Sequence, residues 1–382
     1  MECRTLVNLL DEFNEQNIIA TLNLKPEKTI FIYENNTENI KQFKAIKTYL
    51  QDKLPEIQIE GNAVEMVNIQ HIEKLISSFN RENTVINLSC GSKLMSLLTY
   101  KTAEKYKITC IFIDISSEVI LNLSDDKTDK FNIELQELKV NDFIKSTGGK
   151  ILSDSTEIFD NSKVLEFLDY IIDNYSSWTK LKNNLRNDDI AKHDKFYMDK
   201  VIIDKEKIDD EYRPIYVKFL EKAKNLNLVS TSNSKNNNLI VQFNNEGMKT
   251  LFFKTGTWLE VLVYKTLKQI NEVDDVKIGV TFKWNDNKQY VKNEIDVLAS
   301  INSQLICISC KDTDKYDEDA LNELEVYSDM LGGDDVKKVL TASKESYKKS
   351  TILRAKEMGI DIVVFNGNVK TLKESLRNIL KI

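Results

Sequence analysis

Both ends of the chain alternate short apolar runs with amphipathic segments. That pattern restricts each end to a layered α/β fold, and at the N-terminal end the alternation implies a mostly parallel sheet with helices on both faces. Near the N-terminus, KTIFIYEN (28–35), NTVINLS (83–89) and ITCIFIDI (108–115) read as buried strands, with IQIEGNA a weaker one. Between them, NIKQFKAIKTYLQDKL places Ile40, Phe43, Ile46, Tyr49 and Leu50 at helical spacing. IEKLISSFNR and KLMSLLTYKTAEKYK complete the alternation as helices. The pattern returns after Lys249, with helix TGTWLEVLVYKTLKQI and strands at 276–284, 294–301 and 305–311. Helix DEDALNELEVYSDML, strand KKVLTA, helix ILRAKEMG, strand IDIVVFN and a closing helix at 372–380 follow.

The middle differs. SKVLEFLDYIIDNYSSWTKL is a strong amphipathic helix, PIYVKFLEKAKNL is a second with Pro214 in its first turn, and LNLVSTSNSKNNNLIVQF reads as a hairpin with a polar tip. These pieces make either a connector or a winged-helix-like element. With 382 residues the chain exceeds one ordinary core. The expected organisation is a Rossmann-like domain over 1–150, a small α+β connector over 151–248 and a second α/β domain over 249–382.

Composition narrows the chemistry. Hydrophobic residues make up 41% and charged residues 30%, as in a soluble globular protein, and no apolar run is long enough for a bilayer. The N-terminus lacks the pattern of a signal peptide. The five cysteines, Cys3, Cys90, Cys110, Cys307 and Cys310, are scattered, so reduced thiols and a cytoplasmic location are expected. With only His71 and His193, zinc held by Cys and His or a histidine-based triad is disfavoured. A formal charge of −7 means that a nucleic-acid partner needs a local basic patch.

The segment KNEIDVLASINSQLICISCKD (292–312) reads as two interior strands joined by a tight turn, yet carries Glu294, Asp296, Ser309 and Lys311. Alternate strand residues share a face, so Asp296 can meet Ser309 and Lys311 across the hairpin. Buried charges need partners or a metal. The cluster is therefore either a salt bridge or a site for a divalent cation and a phosphate, with oxygen ligands suiting magnesium or manganese. Glu260, among Trp258, Leu259, Val261 and Leu262 on the preceding helix, is the candidate second carboxylate.

EID, followed thirteen positions after Asp296 by Ser309 of SCK, resembles the PD-(D/E)xK restriction-endonuclease core. The resemblance covers the C-terminal residues and makes Glu260 the helical acid, Asp296 the central acid and Lys311 the motif lysine. Glu260 and Asp296 would be metal ligands. Ser309 stands where many members carry Glu or Gln, which removes one carboxylate.

A second motif lies in VINLSCGSKLMSLL. A strand ends at Ser89 and Cys90-Gly91-Ser92-Lys93 turns into a helix. Gly91 permits close backbone approach and Ser92 can cap the helix, whose N-terminus favours an anion. Neither a Walker A loop nor a G-x-G-x-x-G fingerprint is present, and an ordinary strand-to-helix turn accounts for the spacing equally. Residues 87–95, NLSCGSKLM, are similar to the Asn-Leu-Thr-Gly-Gly-Thr-Lys-x-Met segment of CARF domains, the Rossmann-like cyclic-oligoadenylate sensors of CRISPR-associated proteins. Cys90 replaces a family glycine. By matching position Gly91, Ser92 and Lys93 are ligand contacts. Asp11, Asn14 and Gln16 of the first loop are either further contacts or solvated turn residues.

Together the two motifs resemble single-CARF CRISPR nucleases of the Card1/Can2 type. That resemblance implies a homodimeric antiviral endonuclease, activated by cyclic tetra-adenylate and dependent on Mn2+ or Mg2+, that cleaves DNA, RNA or both. The alternatives are a ligand-responsive transcription regulator with an inactive nuclease fold, and an enzyme that only degrades the ring.

Overall fold

The computed structural model describes all residues except 1–2, 66–67, 116, 125–129, 132–135, 186, 195–196, 235–237 and 285–291. The first domain follows the expected alternation: β1 (Thr5–Leu9), α1 (Glu15–Leu24), β2 (Lys28–Glu34), α2 (Thr37–Lys53), β3 (Gln58–Val64), α3 (Ile69–Ser77), β4 (Thr84–Asn87), α4 (Lys93–Tyr106) and β5 (Thr109–Asp114). Strands β6 (Val119–Asn122) and β7 (Lys130–Phe131) and helix α5 (Val140–Ser146) close it. The sheet order is β3-β2-β1-β4-β5-β6-β7, parallel from β3 to β5 and antiparallel beyond. The strands are Ile/Val/Leu-rich because both faces are covered by helices.

The next strand, β8 (Lys150–Ser153), leaves this sheet and pairs antiparallel with β13 (Asp275–Lys283). The segment read as connector thus contributes an edge strand to the C-terminal sheet. Between β8 and β13 come α6 (Thr156–Phe159), α7 (Ser162–Asp173), α8 (Tyr175–Leu185), β9 (Ala191–His193), β10 (Lys200–Ile203), α9 (Arg213–Asn225), β11 (Val229–Asn233), β12 (Leu239–Phe243), α10 (Glu246–Phe253) and α11 (Thr257–Lys268). The expected hairpin is β11–β12; its tip at 235–237 lies outside the described residues. It belongs to a four-stranded antiparallel sheet, β11-β12-β10-β9, richer in strands than the sequence suggested. Two of these strands arise from the polar stretch before Pro214, where Ala191, Val201 and Ile203 are buried but widely spaced in a charged background.

The C-terminal sheet continues through β14 (Asn293–Ile301), β15 (Gln304–Lys311), α12 (Glu318–Gly332), β16 (Lys337–Ala342), α13 (Lys349–Glu357), β17 (Ile360–Val364) and α14 (Val369–Leu380). Its order is β17-β16-β15-β14-β13-β8. The hairpin β14–β15 is antiparallel, whereas β15–β16 and β16–β17 are parallel. No described helix is long and apolar enough to cross a membrane, and all five cysteines are free thiols.

The parts share cores. One apolar cluster runs from the connector through Trp258 and Tyr264 into β14 and β15. A second joins Phe31 and Ile18 of the first domain, through Phe143 of α5, to Leu298, Leu321 and Leu340. Polar contacts reinforce this seam: the Leu138 N–H donates to Ser303 Oγ at 2.9 Å and the Val140 N–H to Asp275 at 3.2 Å.

The connector is fastened by a buried ion pair. Lys182 of α8 donates to both Asp312 oxygens, at 2.5 and 2.6 Å. Asp312, directly after Lys311, also accepts from Trp258 Nε1 at 2.8 Å and Ser343 Oγ at 2.7 Å. Removing one member of such a pair strands a charge without water. Lys182→Met is expected to cost about 3–5 kcal/mol in urea unfolding, and Lys182→Met with Asp312→Asn to recover much of that loss.

Candidate functional site

The hairpin β14–β15 places the C-terminal cluster. Its ladder ends at the pair Val297–Ile308. Beyond that pair the Asp296 side chain takes over from the backbone, accepting the Cys310 N–H at 2.6 Å and the Ser309 hydroxyl at 3.3 Å. Ser309 therefore supplies no charge and instead orients Asp296. Glu294 ion-pairs at 3.1 Å with Lys254, which lies just before α11.

Glu260 sits in the first turn of α11 and is only 6% exposed. Burial, then repulsion from Asp296, pushes its pKa up to about 8, against the pull of Lys254 and Lys311. Burial also raises Asp296, opposed by the Cys310 N–H and then Lys311 and Lys254. At Lys254, burial disfavours the charged form, but Glu260, Glu294 and Asp296 outweigh it and its pKa is raised. Helix α11 is capped by Gly256 in the left-handed region (φ +97°), where an added Cβ would stand 3.6 Å from both Glu260 Oε1 and the Cys310 carbonyl oxygen. The glycine thus leaves a niche lined by oxygen.

A cavity of about 220 Å³ opens at this point, lined by Lys254, Glu294, Asp296, Ser309 and Lys311. Glu260 is not among the residues lining the cavity, but its Oε1 faces the Gly256 niche together with the Cys310 carbonyl oxygen, close enough to Asp296 for the two carboxylates to repel. Two residues that sequence reasoning missed complete the wall: Glu323 and Tyr327 of α12, with Tyr327 Oη donating to Glu323 at 3.3 Å. Their spacing of four on an amphipathic helix was the available signal.

Among the described residues no group of three or more Asp, Glu, His or Cys side chains forms a metal cluster. Magnesium needs fewer, because it keeps several waters and one or two carboxylates suffice. Two mutually repelling carboxylates beside a main-chain carbonyl oxygen fit such an ion.

In the first domain the strand order reverses between β1 and β4, both parallel neighbours in mid-sheet. Ligands of open α/β sheets bind beyond the strand ends at such a switch point. The loops 10–14 and 88–92 leave the sheet there. Beneath them Asn87 donates to Asn8 and Asn17, each at 3.0 Å, and Asn17 donates to the Leu9 carbonyl and to Asn14. Asn8, Asn17 and Asn87 are fully buried, so this network fixes both loops from below.

Gly91 has φ +91°, and a Cβ there would lie 2.7 Å from Leu9 Cβ, so only glycine fits. Ser92 caps α4 by accepting the Met95 N–H at 3.3 Å, and Ser92 and Lys93 are exposed. Cys90 is turned inward with its thiol toward Gln16, at 3.4 Å. Asp11 accepts the Gly91 N–H at 2.8 Å. That amide, expected to face a ligand anion, is thus bonded within the protein. Asn14 is 3% exposed and engaged with Asp11 and Asn17, so it shapes the loop from inside.

A Rossmann-like domain with a prepared switch point, joined to a nuclease-type sheet with an acidic and basic pocket, defines a ligand-sensing enzyme architecture. Residues 5–143 match the Card1 CARF domain family and residues 247–382 the Card1-like endonuclease domain family. The chain belongs to the CARF-domain endonucleases of the Card1 type.

No curated protein sequence matches it. Its fold is similar to protein VC1899 from Vibrio cholerae, at 19% identity and TM-score 0.75, covering 99% of this chain and 98% of that one. It is similar to Can2 from Sulfobacillus thermosulfidooxidans in complex with cyclic tetra-adenylate, at 17% identity and TM-score 0.72, covering 98% and 99%. A type III CRISPR defence DNA nuclease activated by cyclic oligoadenylate aligns at 12% identity and TM-score 0.54, over 93% of this chain and 52% of that one. At these identities the likeness is one of fold.

The raised Glu260 has a consequence for stability. Its carboxyl ionises near 4.5 when unfolded but at about 8 when folded. The folded state therefore binds more protons between those values, and its stability falls as pH rises through them. Without metal, the melting temperature is expected to drop by several degrees from pH 5 to 8. Glu260→Gln should flatten that slope, and added Mn2+ should oppose it in the wild type.

Proposed function

We propose that the chain is an endonuclease switched on by a cyclic oligoadenylate, cyclic tetra-adenylate being the ring expected, in type III CRISPR antiviral defence. The observation that carries this reading is the convergence of Asp296, Lys311 and Lys254 on one cavity, with Glu260 close enough to Asp296 to be repelled by it. A divalent cation held by Glu260 and Asp296, Mn2+ or Mg2+, would polarise the scissile phosphate and acidify a bound water. The residues of the chain do the rest. Asp296 is held in place by the Cys310 N–H and the Ser309 hydroxyl. Lys311 faces the attacking water or the developing charge on phosphorus. Lys254, although paired with Glu294, adds positive charge to a wall that must receive a phosphodiester.

Support for the sensor half comes from the switch-point loops with Ser92 and Lys93 exposed at the start of α4. Leu94 and Leu97, on the same helix, are 51% and 67% exposed. An apolar face next to the loop suits a second copy of the chain, so that one ring meets two equivalent loops. The substrate is DNA, RNA or both, and the protein works in the cytoplasm.

The absence of a third carboxylate at Ser309 favours one other reading, a ligand-responsive regulator that binds duplex DNA without cutting it. Labelled single-stranded RNA, single-stranded DNA and plasmid, each with Mn2+ and with or without cyclic tetra-adenylate, decide between them. Cleavage is expected to need both ring and metal, and Asp296→Asn or Lys311→Ala to lower it by about a hundredfold or more. Full cleavage by either variant would overturn the site, and ring binding without any cleavage would promote the regulator.

A further inference from the structure

Helix α12 touches both halves of the molecule. One part of it supplies Glu323 and Tyr327 to the cavity that holds Asp296 and Lys311. Its C-terminal end runs into Gly332 and Gly333, which lie against the first loop of the sensor. A Cβ on Gly333 would stand 2.6 Å from the Phe13 ring, and one on Gly332 would stand 3.9 Å from Glu15 Oε1. Gly333 also has φ +61°, so the chain can turn there while the Phe13 ring lies on its backbone. Nine positions of α-helix take Glu323 to Gly332, a span of about 14 Å.

The helix is a single rod tied to its surroundings at several points. Leu321, Leu324 and Leu331 anchor its inner face in the core shared with the sensor. Lys338 of β16 reaches both Glu325 and Asp329, at 3.3 Å each. A shift at its C-terminal end is therefore passed along a continuous hydrogen-bonded rod rather than absorbed in a loop.

The first loop is held at its other end by the ligand site. Asp11, two residues before Phe13, accepts the Gly91 N–H at 2.8 Å. A carboxylate thus occupies the backbone donor at the switch point, where a phosphate of the proposed ligand would seek one. Glu15 faces Gly332 on the far side, where burial is the main cause that pushes its carboxyl up to about 7, with Asp335 and Asp11 adding repulsion.

We infer that Asp11 is an internal stand-in for a ligand phosphate, and that its displacement from Gly91 moves Phe13 against Gly333 and resets Glu323 and Tyr327 through α12. This deepens the proposed function and rests on its sensor half. A ligand changes the nuclease only through a difference in contacts between two states, and the Asp11–Gly91 bond, made in one and exchanged in the other, is such a difference. Linkage requires the reverse as well: whatever favours the shifted α12 must tighten the ring.

The test is hydrogen exchange of the 318–332 amides together with calorimetric binding of cyclic tetra-adenylate, on the full chain. In the wild type, the ring is expected to change exchange in α12 by about tenfold or more. Asp11→Ala without ring should shift α12 toward the ring-bound pattern, because the latch is already open. Phe13→Ala should bind ring within about threefold of the wild type while its α12 stays unchanged, and Phe13→Leu should restore part of the response. Ring binding by the wild type with no change in α12 would overturn the inference alone. So would a full α12 response in Phe13→Ala, or loss of ring binding by both Phe13 variants. Failure of the wild type to bind the ring would overturn the sensor reading and this inference with it.

Discussion

Asp312 is the carboxylate on which the geometry of the candidate site hangs. It follows the motif lysine directly, yet none of its side chain is exposed. Among its partners are Lys182 in the connector, Trp258 in α11 and Ser343 just after β16, from three other segments. Trp258 stands two residues before Glu260. One charge therefore fixes Lys311 and Glu260 relative to each other, and the connector supplies the counter-charge that makes its burial tolerable. The middle of the chain thus shares the core of the C-terminal domain rather than standing beside it as a spacer.

The same economy holds at the sensor. Three buried asparagines do the work that apolar side chains do elsewhere in the sheet, because each loop end needs a fixed partner. Asn87 joins the loop after β4 to Asn8 and Asn17, and Asn17 reaches the loop after β1 through Asn14. Such networks rigidify when every member is satisfied. The exposed side chains above them, Ser92 and Lys93, are left on a firm base.

Much of this was legible in the sequence. Alternating apolar runs gave both α/β sheets, because fully buried strands and amphipathic helices write distinct periods. Glu260 and Asp296 stood out as acids among apolar neighbours, and the structure does bring them within mutual repulsion. What the sequence hid depends on distance in the fold. Lys182 and Asp312 are 130 positions apart, and each alone looks like surface charge. Glu323 and Tyr327 sit on a helix whose polar face reads as solvated until β14 and β15 are placed against it. Asn14 read as either a ligand contact or a solvated turn residue, but a polar side chain in a turn is as readily consumed by its own loop. β8 was read with the connector because strand pairing across more than a hundred residues leaves no local mark.

The seam between the two α/β parts has a bearing on inheritance. Phe31, Phe143, Leu298 and Leu321 belong to one apolar cluster that ignores the sensor–effector boundary. Neither part can be exchanged for a foreign one without rebuilding the face it leaves behind. A lineage carrying this seam is therefore expected to change by substitution along the whole chain, with sensor and nuclease diverging in step rather than being shuffled as separate modules.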